Sequence, residues 1–175
     1  MGKIVVGQNG LFSTPAVSAI IRARKAFGGI ILTASHNPGG KDGDFGIKYN
    51  VASGGPAPES VTDAIYKHTQ SVATLHIARD LPAVDLTQVA QHTFRSGEAT
   101  FEVEVVDSAA EYTHLLKQVF DFAALRALFA RKDFVFAFDA LHGVAGPYAK
   151  RIFVDELGAD SSALANCEPK EDFGG

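Results

Sequence analysis

The sequence predicts an α/β fold of mixed, mostly parallel sheets with flanking helices, spread over portions of two domains. Three observations predict it. The first fifty residues alternate strand, helix and strand, and the same alternation resumes after residue 107. Between its glycines and a polar turn, the run Ile30-Ile31-Leu32 is continuous rather than alternating, the pattern of a strand covered on both faces. The third is the amount of apolar material. Of 175 residues, 46% are hydrophobic and 21% charged, enough to bury a core at this length.

Each element has its own local reason. Ile4 to Val6 open the chain as a strand. Thr14 and Pro15 suit a helix start as cap and first helical position, with Val17, Ile20, Ile21 and Phe27 as its apolar stripe. Gly28 and Gly29 are expected to stop that helix, and residues 30–32 to form a buried parallel strand. The glycine-rich stretch from 39 to 58 reads as a short hairpin between loops. Pro58 then begins a helix carrying Val61, Ala64 and Ile65. Residues 67–98 read as surface loop and short helix.

From 101 to 106 apolar and acidic residues alternate, Phe101, Val103 and Val105 against Glu102 and Glu104, as in a half-exposed strand at a sheet edge. Ser108-Ala109-Ala110-Glu111 has capping-box spacing, ahead of a stripe of Tyr112, Leu115, Leu116 and Val119. A domain boundary is placed near Asp107. A helix from Phe122 to Phe129 leads to a strand from Phe134 to Asp139, then to a helix from Pro147 to Leu157 closed by Gly158. Residues 163–169 offer one more strand. The phenylalanines at 120, 122, 129, 134, 136 and 138 read as core.

Composition also excludes functions. With 20 acidic and 16 basic residues the net charge is −4, which gives no footprint for nucleic acid. Arg22, Arg24 and Lys25 read as a solvated helix face. No apolar run approaches the ~20 residues that span a bilayer. The single cysteine, Cys167, fits a reducing compartment and reads as a small buried hydrophobe.

One stretch points to chemistry. At the end of the Ile30–Leu32 strand stand Ser35, His36, Asn37 and Pro38, followed by Gly39 and Gly40. Ligands gather beyond the carboxyl ends of strands in open α/β sheets. Ser35 has three physical readings: a turn residue, a hydrolase nucleophile, or a carrier of a phosphoryl group. The nucleophile elbow is absent, since Thr33 and Asn37 occupy its glycine positions. For a phosphoryl carrier, Gly39 and Gly40 would let backbone amides approach the anion, His36 could relay a proton, and Lys48 is a nearby cation. Asp42 and Asp44 read as turn aspartates, and His142, in "DALHGVAGPY", as a turn or capping residue beside Asp139.

"TASHNPGG", residues 33–40, resembles the active-serine loop of the α-D-phosphohexomutase superfamily. "GQNGLFSTPAVSAIIR", "GDFGIKYN", "GGPAPE", "FEVEVVDS" and "DALHGVAGPY" resemble its eukaryotic-type phosphoglucomutase branch. The resemblance covers essentially the whole chain and is weakest between 67 and 98. It implies the later part of a first domain at 1–107 and the start of a second at 108–175. It further implies that Ser35 is the phosphoserine which interconverts glucose 1-phosphate and glucose 6-phosphate through glucose 1,6-bisphosphate. A phosphate oxygen on Ser35 would be a Mg²⁺ ligand. His36 and Lys48 would be catalytic, and Ser35, His36, Asn37 and Lys48 would line the sugar phosphate site.

The resemblance also implies cytoplasmic location and a longer parent. The family's Thr-Ser-Gly-Leu-Arg-type segment and its Asp-Gly-Asp-Gly-Asp-Arg metal loop are not in these 175 residues, so the rest of the parent is expected to complete the site. Family members with structural or exocytosis-associated roles and little mutase activity supply the alternative.

Overall fold

The computed structural model describes residues 2–79 and 81–175. Strand β1, Gly2–Gly7, runs into a short 3-10 turn at Gln8–Gly10 and then into helix α1, Thr14–Ala23. The cap of α1 is Ser13 rather than Thr14. Its side chain accepts from the Ala16 amide, while Thr14 and Pro15 fill the first helical turn. The stripe Val17, Ile20 and Ile21 is buried as expected, but Phe27 lies outside it and is 90% exposed.

Gly28 and Gly29 do not stop the helix. Arg24 and a left-handed Lys25 (φ 51°) do, and the two glycines begin strand β2, Gly28–Leu32. Close approach explains the glycines there. A Cβ on Gly29 would lie 2.9 Å from the Ile21 side chain beneath it.

Strand β2 departs from the sequence expectation. It pairs antiparallel with β3, Ile47–Val51, with Ile31 opposite Lys48 and Leu32 opposite Ile47. Only Ile31 of the three apolar residues is buried, packed on Val17 and Ile21, while Ile30 and Leu32 are 70% and 65% exposed. Alternating burial on a continuous apolar run is the physical difference between an outer hairpin and a covered parallel strand.

Helix α2, Glu59–Thr69, starts after Pro58 as expected and lies on the surface. The region 67–98, expected as surface loop and short helix, instead contains a strand, β4, Ala90–Ser96. It pairs antiparallel with β5, Ala99–Val106, which also pairs parallel with β1. The strand order is therefore β1-β5-β4, and β5 is central rather than an edge. Its acidic residues are not a solvated face. Lys3 Nζ stands 2.6 Å from Glu104, and Arg24 bridges Glu104 and Glu111 at 3.2 and 2.9 Å. Arg24 is exposed, as expected of a solvated helix face, and is ion-paired there as well. β1 and β2, the two strands flanking α1, line a cleft of about 670 Å³ together with it.

The second part begins without the expected capping box. Asp107 Oδ1 accepts from the Ala109 amide, and Ser108 Oγ reaches back to the Gln8 carbonyl, so helix α3 starts at Ala110–Val119. Thr113 is the buried residue of α3, and Val119 is 66% exposed. Helix α4, Phe122–Phe129, is capped by Asp121, which accepts from the Ala123 and Ala124 amides.

Of the strand expected over 134–139 only β6, Phe138–Asp139, forms, parallel to β7, Leu164–Ala165. Phe122 is buried and Phe129, Phe136 and Phe138 gather around Phe153, whereas Phe120 is 54% exposed. Helix α5, Ala145–Ala149, widens into a π-helical segment at Lys150–Glu156, and Gly158 closes it with φ 79°. Cys167 is half-buried.

The two parts join around Tyr148. Its side chain is 5% exposed, packs on Ala16 and Ala109, and meets Tyr112 edge to face at 5.9 Å. The hydroxyl accepts from the Ser13 amide at 3.0 Å and donates to the Ser108 carbonyl at 2.9 Å.

Candidate active site

Strand β2 ends at Leu32, and the chain returns at Ile47 to start β3. Everything between hangs from that two-stranded stalk. At its neck the Thr33 amide donates to the Gly46 carbonyl at 2.9 Å, and Gly46 carries no side chain because a Cβ would collide with the Thr33 carbonyl. A second neck closes further out, where the Asp44 amide donates to the Pro38 carbonyl and the Gly43 amide to Gly40.

Ser35 stands at the bend. Its φ is 64°, a left-handed conformation uncommon outside glycine, and its own amide donates to Thr33 Oγ1 at 3.0 Å. The Asn37 amide closes the turn on the Ala34 carbonyl at 3.1 Å. This geometry turns the serine out of the strand direction and leaves its residue exposed, beside exposed His36 and Asn37. Asn37 Nδ2 donates to Asp44 Oδ2 at 2.6 Å, so one carboxylate of the turn is spent on holding the loop.

Lys48 lies on β3 opposite Ile31, four residues before Ser35 along β2, and is exposed. The structure therefore puts Ser35, His36 and Asn37 on one loop, with Lys48 on the strand that supports it. One expectation fails in detail. The Gly39 amide is not free for an anion, because it donates to the Glu171 carbonyl at 3.2 Å. Among the described residues no group of three or more His, Cys, Asp or Glu stands together to hold a metal ion.

Sequence reasoning missed that Glu171 contact. It binds the loop to a segment about 130 positions later, and no local pattern signals such a pairing. His142 and Asp139 form a second turn, at the ends of β6 and β7. Asp139 Oδ1 accepts from the Leu141 amide at 2.8 Å and both its oxygens take Asn166 Nδ2. These hydrogen bonds hold the Asp139 carboxyl below its ordinary pKa, the backbone amide of Leu141 first and the Asn166 side chain second.

An α/β scaffold thus presents an exposed serine on a left-handed turn just beyond a strand end, beside a histidine and an asparagine. Residues 2–76 match the model of phosphoglucomutase/phosphomannomutase alpha/beta/alpha domain I. The chain belongs to the phosphoglucomutase/phosphomannomutase family.

A cytoplasmic phosphoglucomutase of Bromus inermis is 59% identical over 99% of this chain, and one of Pisum sativum 58% over the same share. The crystal structure of the exocytosis-sensitive phosphoprotein pp63/parafusin, a phosphoglucomutase from Paramecium, superposes with a TM-score of 0.91 at 49% identity over 99% of this chain. The chain spans 31% of the length of the plant relatives and 32% of the Paramecium chain.

Proposed function

We propose that this chain acts as part of a phosphoglucomutase, with Ser35 as the residue that carries the phosphoryl group. The reading is supported above all by one observation. The intact loop 33–40 stands exposed at a strand end, within a chain 59% identical to an enzyme named phosphoglucomutase.

In this reading phosphoserine 35 gives its phosphoryl group to a hydroxyl of a glucose monophosphate. The Ser35 O–P bond breaks, an O–P bond to the sugar forms, and the sugar hydroxyl proton passes to a base. The bound glucose 1,6-bisphosphate then returns its other phosphoryl group to Ser35, so glucose 1-phosphate and glucose 6-phosphate interconvert without net change in the enzyme. His36 serves as the proton relay. Lys48 offsets the −1.5 to −2 charge typical of a phosphoserine, and Asn37 fixes the loop.

Family membership implies a metal cofactor, and we propose Mg²⁺ on a phosphate oxygen of Ser35. When bound, the ion would neutralise charge on the transferring phosphoryl group. The residues present do not make its shell. Mg²⁺ wants octahedral oxygen ligands, and Asp44 is engaged with Asn37. The remaining ligands are assigned to parts of the parent outside residues 1–175, as is the binding of the far phosphate. Residues 1–107 are taken as the later part of a first domain and 108–175 as the start of a second. A cytoplasmic location belongs to the same reading and is supported by relatives named cytoplasmic phosphoglucomutase.

The test is Ser35→Ala in the full-length parent. Phosphoenzyme labelling and mutase turnover are both expected to vanish, with the far-UV circular dichroism unchanged. Normal turnover by that variant would sink the assignment.

A further inference from the structure

Among the described residues seven non-glycines take a left-handed backbone, and five of them fall in two places: Ser35 itself, and the corner formed by Leu141, His142, Asn166 and Phe173. Such residues are strained and persist only where their surroundings over-determine them. A short segment, 168–175, connects the two places.

His142 grips this segment three ways. Its Nδ1 meets the Glu168 carbonyl at 2.8 Å, which makes Nδ1 the protonated nitrogen. Its carbonyl accepts from the Lys170 amide at 2.8 Å. Its ring lies so near Gly174 that a Cβ there would stand 2.9 Å from Cδ2, and Gly174 has φ 93°. The Asp139–Asn166 bonds fix the turn from beneath, and the His142 amide donates to the Asn166 carbonyl at 2.9 Å. Between the Glu168 and Gly174 grips, Glu171 presents its carbonyl to the Gly39 amide, inside the Ser35 loop.

We propose that His142 is a positioning residue for the Ser35 loop, acting through the 168–175 segment and the Glu171–Gly39 hydrogen bond. The inference rests on the reading of that loop as catalytic for its functional meaning. Its physical claim, that His142 sets the Gly39 contact, does not. Hinges and struts of this type act through a precise placement of the reacting group, where an ångström of displacement can cost about a hundredfold in rate.

The experiment is amide hydrogen exchange on the 175-residue chain with three variants. In His142→Ala, exchange at Gly39 is expected to speed up tenfold or more while Ile21 and Val105 keep their protection. In His142→Asn, whose Nδ2 occupies the place of Nδ1 and whose backbone tolerates a positive φ, protection at Gly39 is expected to return. Gly174→Ala, whose Cβ would press on the ring at Cδ2 and Nε2 rather than at Nδ1, is expected to free Gly39 as His142→Ala does.

Unchanged Gly39 exchange in His142→Ala overturns the proposal. So does a loss of protection spread over Ile21 and Val105 in all three variants, because His142 would then only hold the fold. In the full-length parent the same substitutions are expected to lower kcat more than they raise KM, with recovery in His142→Asn. If Ser35→Ala leaves turnover intact, the catalytic reading falls while the Gly39 result stands.

Discussion

Ser35 carries two demands on one residue, a left-handed backbone and an exposed hydroxyl. Glycine would meet the first without cost and fail the second. Ser35→Gly is therefore expected to lose all transfer activity yet to be at least as stable as the parent sequence. Relief of the left-handed conformation, about 1–2 kcal/mol, offsets the added freedom of the unfolded chain. Urea denaturation of the two proteins checks it, and a clearly less stable glycine variant would contradict it. His36→Ala and Lys48→Ala are expected to lower turnover about 10²–10⁴-fold each in the full-length parent without changing the far-UV signal. Steady-state kinetics decide, and unchanged rates in both variants would return the two residues to an ordinary turn and strand. Residue by residue, the site was legible because its loop is a long run of unusual types. The Gly39–Glu171 hydrogen bond was not, because a backbone-to-backbone contact leaves no trace in side-chain identity.

At the scale of elements, the helices and the main strands could be read, and their partners could not. Helix α1 follows from its cap, its proline and its apolar stripe, all local. Strand β5 was visible as an alternation, but whether it lay at an edge depended on β4. That strand, Ala90–Ser96, mixes Gln91, His92 and Arg95 with one aromatic and presents no clean period. The continuous apolar run of β2 misled for the same reason: periodicity reports side-chain chemistry and not the direction of a neighbour. Tyr148 is the element-level contact with the clearest energetic consequence. Tyr148→Phe keeps the ring but removes the acceptor of the Ser13 amide and the donor to the Ser108 carbonyl. Leaving those part-buried groups unpaired costs up to about 1–3 kcal/mol. A lower urea midpoint with an unchanged slope is expected, together with faster exchange at the start of α1. A midpoint equal to that of the unsubstituted chain would show that water replaces both bonds at no cost.

For the whole molecule, charge and exposed apolar surface set behaviour. Lys3 holds the Glu104 carboxyl below its ordinary pKa of 4.5, with Arg24 adding to the effect against partial burial. A carboxyl with a depressed folded pKa contributes stability above its unfolded value and loses it as pH falls through the folded one. Stability is thus expected to decline below about pH 4.5, and Glu104→Gln to flatten that decline. Thermal unfolding from pH 7 to pH 3 measures both. Ile30 and Leu32, 70% and 65% exposed, stand on a strand that lines the open cleft beside β1. Such a strand invites pairing with another chain. Concentration-dependent association of the 175-residue chain is expected in sedimentation velocity, weakened by Ile30→Lys. The same chain is expected to show no mutase turnover above a Ser35→Ala control, since no metal-holding cluster forms among its described residues.

The pairing of β1 with β5 has a consequence for the order in which the molecule assembles. Gly2 meets Phe101 about a hundred positions later, whereas Leu32 meets Ile47 after about fifteen. Closing the longer loop costs about 1.7 kcal/mol more in chain entropy, and nothing on β1 repays it until β5 has been synthesised. The stalk of the serine loop can therefore form while the first strand still waits for its partner. Pulse-labelling during refolding should find Ile31 and Tyr49 amides protected before that of Val5. The reacting end of the molecule is built early on a local hairpin, and the sheet beside it closes late.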